Sequence, residues 1–158
     1  MDMPPPVKEH AWLRRFEGDW DTEGEIIMDP SQPPMKVKGS DRARMIGGFW
    51  LVCEGRGDQM NFESRLTLGY DEKKKKYVGT WIDSMSSYLW RYEGTVDPAG
   101  RVLTLETEGP QPDDPAKNVK FREVTEFKSD DYRVFTSSRL NPDGNWTTMV
   151  TIHFRRRK

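Results

Sequence analysis

The residues best placed to do chemistry lie between Tyr77 and Gly94, in the stretch YVGTWIDSMSSYLWRYEG. If two strands meet across the turn DSMSS, alternation sets Tyr77, Gly79, Trp81 and Asp83 on one face of the first. Tyr88, Trp90, Tyr92 and Gly94 then share the matching face of the second. Turned inward, Trp81, Trp90 and Tyr92 would supply aromatic contact for a small hydrophobic or amphipathic molecule, with Asp83 as a polar handle. Turned outward, the same rings would make an apolar patch of the kind a monomer avoids, which points to a homodimer or another interaction module. Packing that simply fills the interior is the plain alternative.

Other candidates are thinner. Glu54, in WLVCEG, is a carboxylate on a mostly apolar strand. It would orient a ligand's polar group together with Asp83 or, in the rival reading, either Glu54 or Asp83 would carry a proton in an isomerase- or hydratase-type acid–base enzyme. Its plainer reading is an outward-facing residue near a strand end. Met45 and Met149 are adaptable wall residues for the same cavity. His153 shares a strand face with Met149, Thr151 and Arg155, opposite Val150, Ile152 and Phe154. Either face could look inward, so His153 reads as a structural or exposed residue, or as a ligand or haem contact. His10 sits among charged neighbours and is expected to be exposed. Cys53 alternates with Phe49 and Leu51 and reads as a buried small hydrophobe, not a nucleophile.

Several reaction classes lack their signatures. The chain contains no G-x-S-x-G, phosphate-cradling glycine loop, H-E-x-x-H or paired C-x-x-C. A closed zinc site needs about four converging ligands, which two distant histidines and one cysteine do not provide. No catalytic residue, metal or cofactor is therefore assigned. The formal net charge of −1 gives no field to recruit nucleic acid, and RRRK near the end does not change that. With one cysteine, no intramolecular disulfide can form, which suits a reducing compartment. No window approaches the length of an apolar membrane span, and MDMPPPVKEH does not read as a signal peptide, so a cytoplasmic protein is expected.

The elements that must position these residues follow from periodicity. Val7, Ala11, Trp12, Leu13 and Phe16 recur at helical spacing after a proline run and before Gly18, predicting one short helix. Residues 1–6 read as a disordered tail ahead of a single domain over 7–158. From Trp20 the pattern turns to period two, and DPSQPP, IGG, GRGDQMN, YDEKKKK, DSMSS, DPAG, EGPQPDDPAKN, KSDD and NPDGN break the chain with turn chemistry. Ten strand-sized pieces remain, with no second helical segment to support crossovers. An all-β antiparallel up-and-down meander results, and closing it into a barrel removes two exposed edges. The break from Glu108 to Asn118 is the longest and reads as a surface excursion or a loop over the barrel mouth.

A barrel's ends must be stoppered. Trp20 at the start of the first strand, with the helix ahead of it and Gly18 easing the junction, would close one end. An arginine of the last strand, Arg155, would lie over the indole by cation–π attraction. GDW after a short helix, with a basic closing strand, resembles the G-x-W signature of lipocalin-like (calycin) barrels. EHAWLRRFEGDW, RARMIGGFWLVCEG, LGYDEKKKKYVGTWIDS, YEGTVDPAGRVLTLETEG and FREVTEF together resemble the DUF1579 family of uncharacterised bacterial proteins over residues 9 to 157. That resemblance implies a lipocalin-like barrel, in keeping with the ten strands read from the breaks, without an activity to carry over. A more distant likeness is to nitrobindin-type haem barrels, in which a late-strand histidine ligates iron; His153 occupies such a place, but the glycine-rich N-terminal pattern is not reproduced.

Overall fold

In the computed structural model, which describes residues 2–158, a short helix α1 (Lys8–Trp12) tightens into a 3-10 turn (Leu13–Phe16) and hands over to ten strands. They are β1 (Gly18–Ile26), β2 (Met35–Ile46), β3 (Trp50–Gly57), β4 (Glu63–Asp71), β5 (Lys76–Asp83), β6 (Trp90–Val96), β7 (Val102–Gln111), β8 (Asp114–Ser129), β9 (Tyr132–Leu140) and β10 (Trp146–Arg156). Each strand pairs antiparallel with its neighbours in sequence. β1 also pairs β10, with Trp20 opposite Arg156 and Ile26 opposite Val150, so the sheet closes into the expected barrel and each strand has two partners.

The helical segment packs differently from its sequence pattern. Its buried residues are His10, Leu13 and Phe16, three apart, which is the spacing that a 3-10 turn eclipses. Ala11, expected inside, faces water, and His10, expected outside, is buried. His10 is accommodated because both ring nitrogens find partners. Nδ1 accepts from the backbone N–H of Val7 at 2.9 Å, leaving Nε2–H to donate to the Tyr70 carbonyl at 3.1 Å. Phe49 and Tyr70 meet the imidazole edge to face.

The helix lies across the end of the barrel formed by the β2–β3, β4–β5, β6–β7 and β8–β9 turns. Trp12 Nε1 donates to the Gly100 carbonyl at 2.8 Å, and the Tyr77 hydroxyl donates to the Glu9 carbonyl at 2.9 Å. Phe16 meets Phe127 at 5.1 Å, and the core cluster continues through Leu51, Leu68, Tyr77, Leu103 and Leu105.

The long proline-rich break proves to be mostly strand. β7 runs to Gln111 and β8 starts at Asp114, with a register shift between Pro110 and Gln111. The first described pair between β8 and β9 is Phe121 with Arg139, so the start of β8 is hydrogen-bonded on the β7 side alone. One-sided pairing tolerates the prolines that a central strand would reject.

No helix among the described residues is long and apolar enough to cross a membrane.

Candidate functional site

The closure around Trp20 sets the floor. Its indole is fully buried, and Nε1 donates to the Phe16 carbonyl at 2.8 Å. The arginine over the ring is Arg156, 4.3 Å from it, and not Arg155. The register explains the difference. Arg156 is the direct partner of Trp20, while Arg155 has the opposite parity and lies outside, ion-paired with Glu23 and stacked on Tyr132. Arg156 also ties the helical segment down, donating to the carbonyls of Glu17 and Arg15, and it pairs with Asp131 at 3.0 Å. Gly18 is required there: its φ is +126°, and a Cβ would come 2.6 Å from Arg156 Nη1.

A second guanidinium, Arg133 of β9, lies 4.6 Å from the Trp20 ring and 3.8 Å from Phe154, fully inside the barrel. Its carboxylate partner is Asp41 of β2, with Arg133 Nη2 at 3.5 Å from Asp41 Oδ2. That separation is long, and Asp41 Oδ2 forms no hydrogen bond. Burial pushes the Asp41 carboxyl up, against the pull of Arg133, and the same burial pushes Arg133 down. Cys53 is buried beside this pair, and desolvation drives its thiol up, as befits an inert core residue.

Beyond this floor the aromatic faces of β5 and β6 do point inward. Trp81 stands directly opposite Trp90, and Gly79 opposite Tyr92. They therefore do not form the exposed patch on which the dimer reading depends. Trp90 crosses Phe121 of β8 edge to face at 5.3 Å, and a Cβ at Gly109 of β7 would collide with its ring, so that glycine makes room for the indole. Asp83 is inward but committed: Trp81 Nε1 donates to it at 2.9 Å, and the Met85 amide donates at 2.9 Å. It braces the β5–β6 turn.

Glu54 is on the outer wall, paired with Arg44 at 3.4 Å. Neither of the two carboxylates expected to carry a proton is thus free inside. Met45 packs against the core cluster near the capped end, and Met149 is buried in a bulge of β10. His153 lies on the outer face with Arg155; its Nδ1 is 2.7 Å from the Tyr132 hydroxyl, and the two rings stack. The structure therefore brings together Trp81, Asp83, Trp90 and Tyr92, puts Glu54 and His153 on the outer wall, and leaves half-buried Met45 and buried Met149 as packing residues.

The missed residue is Glu123 of β8. It shares the inward face of Phe121, Thr125 and Phe127, opposite Ser137 on β9 and Leu105 on β7. Its Oε2 is buried without a hydrogen-bond partner, as is the Thr107 hydroxyl nearby on β7. Desolvation pushes the carboxyl up to about 7, with Ser137 pulling the other way. Burial also raises the Tyr92 phenol, helped by the charges of Glu123 and Asp83. By surface area Glu123 is only half-buried, although protein surrounds it deeply. Thr125, Phe135 and Ile152, inward on neighbouring strands, are half-buried in the same way.

Turns at the uncapped end carry exposed Met28, Met60, Met85 and Leu89. A separate groove of about 520 Å³ on the outer wall of β5 to β8 is lined by Lys76, Arg91, Glu93, Glu106 and Lys120, with no side chain of the aromatic face. Among the described residues, no group of three or more His, Cys, Asp or Glu side chains could hold a metal ion.

Comparison with solved structures matches Rv2717c from M. tuberculosis at a TM-score of 0.66 and 14% identity, over 99% of this chain and 100% of that one. At that identity the likeness speaks for the fold alone. Two redesigned β-barrels, b11L5F_LGL and mFAP1 bound to DFHBI, each align with a TM-score of 0.41 and 10% identity, too distant to carry an argument. The first covers 92% of this chain and 95% of its own, the second 91% and 97%. Comparison with curated proteins gives no match. A family model described as a protein of unknown function matches residues 5–156, and the chain belongs to that family, DUF1579.

Proposed function

We propose that this barrel binds a small amphipathic molecule in its uncapped half, between the Trp81–Trp90 pair and Glu123, without catalysis. One observation carries the reading. The sheet closes on every side, yet inward residues beyond the capped end keep accessible surface, among them Leu66, Trp81, Trp90, Phe135 and Ile152. Inward side chains that exchanged water for neighbours would be covered; these border space. Half-covered indoles give a ligand apolar surface to bury, at roughly 25 cal/mol per Å². The unpartnered Glu123 Oε2 and Thr107 Oγ1 give it something polar to meet.

Native mass spectrometry of the protein as purified, paired with 2-naphthol titration followed by tryptophan fluorescence, tests the proposal. The expected outcome is a retained small-molecule mass that denaturation removes, or saturable uptake of the naphthol that Trp90→Ala weakens by about tenfold. The bare chain mass together with no naphthol uptake overturns it.

A further inference from the structure

Resting on the interior-binding reading, we infer that the ligand's polar end is a hydrogen-bond-donating cation, an amine attached to an aromatic ring, which docks on Glu123 while the ring lies against Trp90 and Phe121. Glu123 has been placed where an acid is costly and then left half-satisfied. Its cross-strand neighbours are Ser137 on β9 and Leu105 on β7, and its own strand offers Phe121 and Thr125. Ser137 stands directly across from Glu123 and pulls its carboxyl down somewhat against burial, and Oε2 has no partner.

The cations on the same inward face are already committed. Arg133 faces Asp41 at 3.5 Å and stacks on Phe16, Trp20 and Phe154. Arg139 reaches Asp113 at 3.0 Å. The remaining ionisable neighbours, Tyr92 and Asp83, bring no positive charge. Asp83 is occupied by Trp81 Nε1 and the Met85 amide, and burial keeps the Tyr92 proton in place. What the carboxylate lacks is a donor with positive charge. What surrounds it is aromatic faces, which attract cations by their quadrupole. Arg133 and Arg139 each keep a buried Nε without a partner, but both guanidinium charges are already faced by an acid, Asp41 and Asp113, so an anionic ligand would meet the Glu123 carboxylate with little positive charge left to offset it.

Three probes that share one ring separate this from the broader reading: tryptamine, indole and indole-3-acetate, titrated calorimetrically into the intact protein. Tryptamine should bind about tenfold tighter than indole, and indole-3-acetate weaker than either. In Glu123→Gln the advantage of tryptamine over indole should fall to about threefold or less. Between pH 5.5 and 8 in the wild type, tryptamine affinity should rise as Glu123 ionises, while indole affinity stays level. That titration needs no variant, so a misfolded Glu123→Gln leaves the inference testable. Equal affinities for tryptamine and indole, or a preference for indole-3-acetate, would overturn the inference and leave interior binding standing. Failure of all three to bind would remove both.

Discussion

At the capped end, Leu68, Tyr77 and Phe127 are all but fully covered, while a step or two along the same strands Leu66, Trp81 and Thr125 keep accessible surface. The strands, their alternation and their pairing do not change between these positions. What changes is the plug: Leu13 and Phe16 of the helical segment, with Trp20 at the start of β1, fill the interior that the other strands leave. Ten strands enclose a wider interior than eight, whose side chains just fill it, so filling must come from an added element or be left undone. Stability is concentrated where the plug reaches, and chemical opportunity where it does not.

That contrast is sharpest in two tryptophans. Trp20→Ala should cost about 4 kcal/mol, because it removes a fully buried indole and leaves Arg133 and Arg156 without the ring they stack on. Trp90→Ala should cost about 1–2 kcal/mol, since the half-buried ring forfeits less apolar burial. Urea midpoints for both variants check the ordering. Equal losses would mean the two halves are packed alike, and the division drawn above would go with it.

Glu123 provides the next largest effect. Its carboxyl is raised from the ordinary 4.5 to about 7, so the folded state holds the proton more tightly than the unfolded state. Stability contributed by the neutral carboxyl is present below about 4.5, declines as pH rises towards 7 and stays low above. Glu123→Gln should therefore stabilise the protein by up to about 3 kcal/mol at pH 8 and change little at pH 4.5. Denaturant midpoints at the two pH values measure this. A Glu123→Gln protein no more stable than the wild type at pH 8 would show that water reaches the carboxylate freely.

How much of this was legible depended on whether the signal was local. Turn chemistry recurs at short intervals, so the number of strands and their antiparallel order followed from sequence. Strict alternation between Tyr77 and Gly94 paired the right aromatic faces. The segment from Glu108 to Asn118 misled because prolines signal a loop unless the strand is hydrogen-bonded on one side only, and that depends on the neighbouring strand. Glu123 did leave a trace. In FREVTEF, alternation puts it on the face of Phe121 and Phe127, an acid between two phenylalanines. Its missing partner is a property of β7 and β9, far away in sequence. Asp41 and Arg133 are likewise joined only by barrel closure, and the burial of His10 depends on the Tyr70 carbonyl, 60 residues away.

The smallest effect discriminates most finely, because adjacent residues in the same strand should respond differently. Arg155 and Arg156 have the same side chain, but one lies over the outer wall and the other reaches beneath it. Arg155 pairs with Glu23 in the open, both partners more than half exposed, and an exposed pair contributes about 0–1 kcal/mol, so Arg155→Ala should move the midpoint by no more than about 0.5 kcal/mol. Arg156→Ala should cost about 2 kcal/mol, because the Glu17 and Arg15 carbonyls lose their donor and the Trp20 ring loses its cation. If the Arg155 variant proved the weaker protein, the register of β10 against β1 would be displaced by one residue. Such a slip would turn His153 inward and Phe154 outward, exchanging the interior surface on which the proposed binding depends.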